Sequence, residues 1–136
     1  MSVSEPRYNR IGAHYDSTRK ADPYLCSRMQ SLLDPIEGGL YLDVGCGTGN
    51  YTTCLSNKGV TFIGIDPSEK MLANAKAKNP NVRWMKGSAE QIDLDDEYID
   101  GVLVSLSIHH WSDLKKGFQE ISRVMKPGAR LVLFTT

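Results

Sequence analysis

The chain has 136 residues, 40% hydrophobic and 24% charged, and its 16 Lys and Arg balance 16 Asp and Glu. At this length roughly two-thirds of the unfolded surface can be buried, enough for one domain with a real core, and the composition excludes fibrous, low-complexity and supercharged classes. With zero net charge there is no global field toward nucleic acid or an anionic membrane, no apolar run approaches the roughly 18 residues of a membrane helix, and MSVSEPRYNR lacks a signal-peptide core, so a soluble, cytoplasmic protein is expected.

Element types alternate along the chain. Asp22-Pro23 predicts a helix start, and Leu25, Met29, Leu32 and Leu33 follow at helical spacing until Asp34-Pro35. Residues 40–44 form a short apolar strand that stops at a glycine cluster, after which Tyr51, Cys54 and Leu55 predict a helix reaching Gly59. Residues 60–65 predict a second strand, and Asp66-Pro67-Ser68-Glu69 opens a helix carrying Met71, Leu72 and Ala75. Residues 82–85 predict a third strand and residues 101–106 a fourth, apolar enough to be covered on both faces. Ser112 is read as the cap of a helix with a Leu114, Phe118, Ile121 and Met125 stripe, ended by Pro127-Gly128, and residues 131–134 as the fifth strand. Strands alternating with helices imply right-handed crossovers and a parallel sheet, so the class is α/β.

The three cysteines, Cys26, Cys46 and Cys54, are odd in number, form no CxxC pair and have no His at ligand spacing. Reduced, mostly buried thiols and no metal site are expected. A fifth strand at the edge of the sheet presents an apolar pairing surface, a route to a homodimer.

The sharpest signal is Asp43-Val44-Gly45-Cys46-Gly47-Thr48-Gly49, between the first strand and its helix. Glycines there allow a tight turn and close approach to a ligand, and the helix start offers unpaired N–H groups. A dinucleotide fingerprint needs Gly or Ala at position 50, where Asn50 stands, and Asp43 would repel a pyrophosphate while favouring an ammonium or sulfonium. No Walker motif is present. Asp66, at the end of the second strand, fits a carboxylate that binds ribose hydroxyls and fits a helix cap as well.

These residues resemble the first motif of class I S-adenosylmethionine-dependent methyltransferases. Further segments agree in order: Gly64-Ile65-Asp66-Pro67-Ser68 is similar to that family's ribose-binding strand end, and Gly87-Ser88-Ala89-Glu90 to its adenine-contacting turn. Residues 100–105 through His109-His110 are similar to its fourth strand, and residues 123–131 to its approach to the fifth. The resemblance implies a Rossmann-like, doubly wound parallel sheet of order 3-2-1-4-5, in a single domain over residues 1–136. Residues 1–35 would form an N-terminal helical lid segment and residues 36–136 the core. The sequence stops where the family usually adds a helix and two more strands.

The resemblance also implies S-adenosylmethionine as cofactor and S-adenosylhomocysteine as product. Asp43 and the Gly45 and Gly47 backbone would hold the methionine end, with Cys46 and Gly49 in the same loop. Asp66, beside Pro67, would take the ribose. Ser88 and Ala89 would meet the adenine edge, Met71 or Ile65 its faces, and Ser105 would close the set. Ser88 departs from the Asp the family often carries. Tyr15 and Arg19, in a segment resembling the family's lid, would face the cofactor carboxylate.

Methyl transfer from a sulfonium is an in-line displacement that needs alignment and dryness rather than a nucleophile. Where the acceptor must lose a proton, His109 and His110 are the candidate catalytic bases. Cys46 reads as packing, as do Trp84 and Trp111. Residues 105–108 lack the Asn/Asp-Pro-Pro-Tyr/Phe of DNA amino-methyltransferases, so a small-molecule acceptor is expected rather than a nucleic acid. The alternative is a cofactor-binding, non-catalytic interaction module, or a fragment of a longer methyltransferase.

Overall fold

The computed structural model describes residues 21–56, 59–105 and 110–134. Its elements are α1 (Pro23–Leu33), β1 (Leu40–Val44), α2 (Asn50–Ser56), β2 (Thr61–Asp66), α3 (Glu69–Lys78), β3 (Arg83–Lys86), β4 (Ile99–Ser105), α4 (Leu114–Val124) and β5 (Met125–Phe134). The strands pair in parallel in the order β3-β2-β1-β4-β5, the expected topology. The chain winds outward from β1 to β3 and then crosses back to β4. Strand order therefore reverses at β1, and the crevice beyond the C-terminal ends of β1 and β4 is the switch point where open α/β sheets bind ligands.

The three central strands are apolar on both faces because helices cover both. Leu42, Val44, Ile63, Ile65, Val102 and Val104 pack with Ile121 and Val124 of α4. Tyr41, Phe62, Leu103 and Val132 point the other way, onto Cys26, Met29 and Leu33 of α1 and Leu55 of α2. Asp22 starts α1 by accepting from the Tyr24 N–H at 2.8 Å, and Asp34 stops it with a left-handed backbone, φ 47°. Asp100 accepts from the Leu40 N–H at 2.8 Å and from Lys126 Nζ at 2.9 Å, tying the start of β1 to β4 and β5.

Several expectations are corrected. The cap of α4 is Asp113, which accepts from the Lys116 N–H at 3.1 Å, because the Ser112 hydroxyl is engaged by Glu90 at 3.0 Å. That start turns the helix so that Gly117, Ile121 and Val124 are inward and Leu114 is 51% exposed. Gly117 is inward because the Trp111 ring fills the space a Cβ would take. The helix also ends before Pro127-Gly128: Met125 is already extended and pairs with Ile99, so β5 begins there and carries the Pro-Gly pair in the irregular stretch between Ile99 and Gly101. The cysteines are not all reduced. Cys26 of α1 and Cys54 of α2 are joined by a disulfide with Cα atoms 6.6 Å apart, and Cys46 alone is free. Their separation of 28 residues matches no motif; only the packing of α1 on α2 brings them together.

Candidate functional site

In the sheet, Val44 lies opposite both Ile65 and Val104, so β1, β2 and β4 end together at one edge. The glycine loop is fastened to the end of β2 by two hydrogen bonds, from the Gly45 and Cys46 N–H groups to the Ile65 carbonyl at 2.7 and 2.9 Å. Two of its glycines are needed for different reasons. Gly47 has φ 59° and open space beside it, whereas Gly49, at φ 78°, is pressed against the Trp84 ring, where no Cβ would fit. Trp84 is itself held by its Nε1–H donating to the Asn79 carbonyl at 2.8 Å.

Asp66 is the organiser of this edge. One carboxylate oxygen accepts from the Gly47 N–H at 2.8 Å, and the other from the Ser68 N–H at 2.9 Å. The cap of α3 is Ser68, whose hydroxyl accepts from the Met71 N–H at 3.2 Å, so the helix-cap reading of Asp66 is replaced by a loop-anchoring one. Beside it lies Asp43, only 1% exposed. Its Oδ2 accepts from the Thr52 hydroxyl at 2.6 Å, while its Oδ1 is buried with no hydrogen-bond partner. Burial pushes the Asp43 carboxyl up to about 7, with the Asp66 charge adding to the rise and the Thr52 hydroxyl opposing it. Burial and the same two carboxylates push the Cys46 thiol far above its ordinary range, so it is a neutral packing group and not a nucleophile.

A buried carboxylate oxygen with no donor is costly unless something arrives to satisfy it. An ammonium fits: it would neutralise Asp43, relieve its repulsion with Asp66 and occupy the orphaned Oδ1. The donor set therefore suits the amino-acid end of S-adenosylmethionine and would repel a pyrophosphate.

The turn after β3 is tied back by the Gly87 N–H donating to the Asp66 carbonyl at 3.1 Å, and Ser88 bridges Gln91 within it. The Ala89 side chain is buried in the core against α4, which leaves only its backbone for a ligand. Glu90 accepts from the Ser112 hydroxyl and from the Asp113 N–H at 2.9 Å, joining this turn to the start of α4. Met71 is half-buried at the start of α3, Pro67 is exposed, and Ser105 ends β4 opposite Phe134. His110 is exposed. Tyr15, Arg19 and His109 lie outside the described residues.

Sequence reasoning missed Thr52 and the Glu90 tie, whereas Trp84, expected as packing around the pocket, is the wall behind the loop. Thr52 had a signal, being three residues before buried Leu55 and so on the inner face of α2. Among the described residues no three His, Cys, Asp or Glu side chains gather as a metal site, and no helix is long and apolar enough to cross a membrane.

The family model described as "Methyltransferase domain" matches residues 42–133. An uncharacterized methyltransferase of Mycobacterium tuberculosis is 41% identical over 92 residues, covering 68% of this chain and 37% of the relative. The demethylmenaquinone methyltransferase of Chlorobaculum tepidum is 36% identical over 88 residues, covering 64% of this chain and 36% of its own length. A solved SAM-dependent methyltransferase from Aquifex aeolicus superposes with a TM-score of 0.67 at 29% identity, over 84% of this chain and 72% of that one. The chain thus spans a little over a third of the two curated relatives.

Proposed function

Since the chain belongs to the methyltransferase domain family and has the class I S-adenosylmethionine-dependent methyltransferase fold, we propose that it binds S-adenosylmethionine beyond β1 and β2 and transfers the methyl group to a small-molecule acceptor. The orphaned Oδ1 of Asp43 carries the reading. It is a buried, unpartnered carboxyl oxygen near the end of β1, beside the glycine loop.

Each residue then has a task. Asp43 Oδ1 accepts from the ammonium, with Thr52 fixing the rotamer through Oδ2. Gly45, Cys46 and Gly47 place the backbone against the methionine end. Asp66 has one partner on each oxygen, and a carboxylate offers about four lone-pair sites, so both oxygens retain capacity for ribose hydroxyls. Ser88, the Ala89 backbone and Met71 border the adenine, and Tyr15 and Arg19 pair with the carboxylate. The bound cofactor supplies an electrophilic methyl on a positively charged sulfur. The protein supplies alignment and a dry floor, the apolar ends of β1 and β4. Where the acceptor carries a proton, His109 or His110, just past β4, removes it. The demethylmenaquinone methyltransferase relative supports a small-molecule acceptor.

Calorimetric titration of the full chain with S-adenosylmethionine, S-adenosylhomocysteine and NAD tests the reading. The first two are expected to bind and NAD is not. Binding of NAD, or of none of the three, would sink it.

A further inference from the structure

We propose that Cys26 and Cys54 form a reversible thiol–disulfide site that, when closed, clamps α1 onto α2 and holds the glycine loop ready for ligand; the proposal rests on the cofactor reading above. The reason lies in what α2 is asked to do. It has seven residues, too few to be stable as an isolated helix, so contacts with the rest of the fold set its position. Its first turn follows directly from the loop, with the Thr53 N–H donating to the Gly49 carbonyl at 2.9 Å. Thr52, on its inner face, holds Asp43 at 2.6 Å. Cys54, two residues on and therefore on the opposite side, holds α1. The helix is gripped from both sides, and movement at Cys54 is transmitted within one turn to the Asp43 contact.

On the α1 side, Cys26, Met29 and Leu33 share one apolar cluster with Leu55, and the N–H of Asp22, the residue that caps α1, donates to the Tyr51 hydroxyl at 3.2 Å. The disulfide adds a covalent restraint to that packing. The pair is also open to exchange, since Cys54 is half-buried although Cys26 is only 6% exposed. A dithiol reductant attacks the Cys54 sulfur through its thiolate and displaces Cys26 as a thiolate, which takes up a proton. The second thiol of the reductant then closes on the first, releasing the Cys54 thiol and a cyclic disulfide; two electrons and two protons pass to the protein. Glutathione disulfide reverses the change, leaving the protein disulfide and two glutathione thiols. Cys46, held protonated, stays outside the exchange.

The test uses the full chain in both states. Alkylation under denaturing conditions should count three thiols after dithiothreitol and one after glutathione disulfide. Calorimetry with S-adenosylmethionine and S-adenosylhomocysteine should then show the oxidised form binding about fivefold tighter or more, the lower end of usual coupling between sites. Cys54→Ser should match the reduced form in both buffers. Three thiols after oxidation, or equal affinity of two verified redox states, overturns the clamp alone. No binding in either state overturns the cofactor reading and the clamp's role with it.

Discussion

Two polar clusters in this molecule use the same residue types to opposite ends. Where residues 92–96 meet the last turn of α4, Arg123 donates to Glu120 at 2.8 and 3.1 Å, to Asp96 at 2.7 Å, and to the Leu94 and Ile92 carbonyls at 2.8 and 2.7 Å. Glu120 accepts in addition from the Ile92 N–H at 3.0 Å. Arg123 is paired with two carboxylates, and both oxygens of Glu120 have donors. At the ends of β1 and β2, by contrast, two carboxylates lie together, and Asp43 Oδ1 has no donor at all. A closed network pins a segment; an open one is a place for something else to bind. Their acid–base behaviour divides in the same way, Glu120 being held down at about 2 by the Arg123 hydrogen bonds and Asp43 pushed up to about 7 by burial.

The largest expected effect breaks the open cluster. Asp43→Asn keeps the shape and the Thr52 contact but removes the charge. Affinity for S-adenosylmethionine should fall roughly 30-fold or more, since losing one member of a buried charge pair costs about 2–5 kcal/mol. The same variant should melt no lower than the parent at pH 8, because an ionised Asp43 is a cost to the unliganded fold. Asp43 contributes stability in its neutral form, fully present below about pH 4 and lost as pH rises through about 7. Wild-type affinity should therefore climb between pH 6 and 8, whereas that of the variant stays flat. A parent titration with no such climb would show that Asp43 does not meet the cation.

The closed cluster should respond in the reverse manner. Arg123→Met removes hydrogen bonds to two carboxylates and two carbonyls and should cost about 2–3 kcal/mol, the scale of hydrogen bonds to charged groups. Thermal melting should fall by roughly 5–10 °C. Affinity for S-adenosylmethionine should stay within about twofold, because no atom of the cluster touches the glycine loop. The folded Glu120 carboxyl is depressed, so its contribution is present above about pH 4.5 and lost as pH falls toward 2, which acid titration of the parent should reproduce and the variant should lack.

The sequence made the open cluster far more legible than the closed one. Asp43, the glycines and Asp66 lie at fixed offsets along a strand, a loop and a strand end, so their spacing is itself the chemistry. The parallel sheet was legible from the alternation of strands and helices, whereas its strand order came from the family resemblance. Arg123, Glu120, Asp96 and Ile92 come from two segments that meet only after folding, and nothing in their local pattern separates them from solvated surface charge. The disulfide was hidden likewise: Cys26 and Cys54 sit on two helices whose contact follows from packing. Leu114 misled because a helical stripe is read from its first residue, and the Glu90 contact to Ser112 moved the cap by one position. The role of Asp66 was half legible, for its place at the strand end was visible but not the Gly47 N–H that claims it.

The smallest effect sharpens the comparison by asking whether charge alone matters near the ligand edge. Lys86 and Glu69 form an ion pair of 3.3 Å there, with Lys86 at the end of β3 and Glu69 at the start of α3. Their side chains are 61% and 80% exposed, so water screens the pair and competes for both heads. Such pairs contribute about 0.2–1 kcal/mol, and ordering two long side chains consumes part of that. Lys86→Ala should shift thermal melting by about 2 °C or less, with the difference vanishing in 1 M salt, and should leave cofactor affinity within about twofold. The Asp43 variant, two strands further in and differing by the same single charge, is expected to lose more than ten times that. If Lys86→Ala weakened binding as much as Asp43→Asn, the summed field of the edge rather than the buried, donorless oxygen would be holding the cofactor.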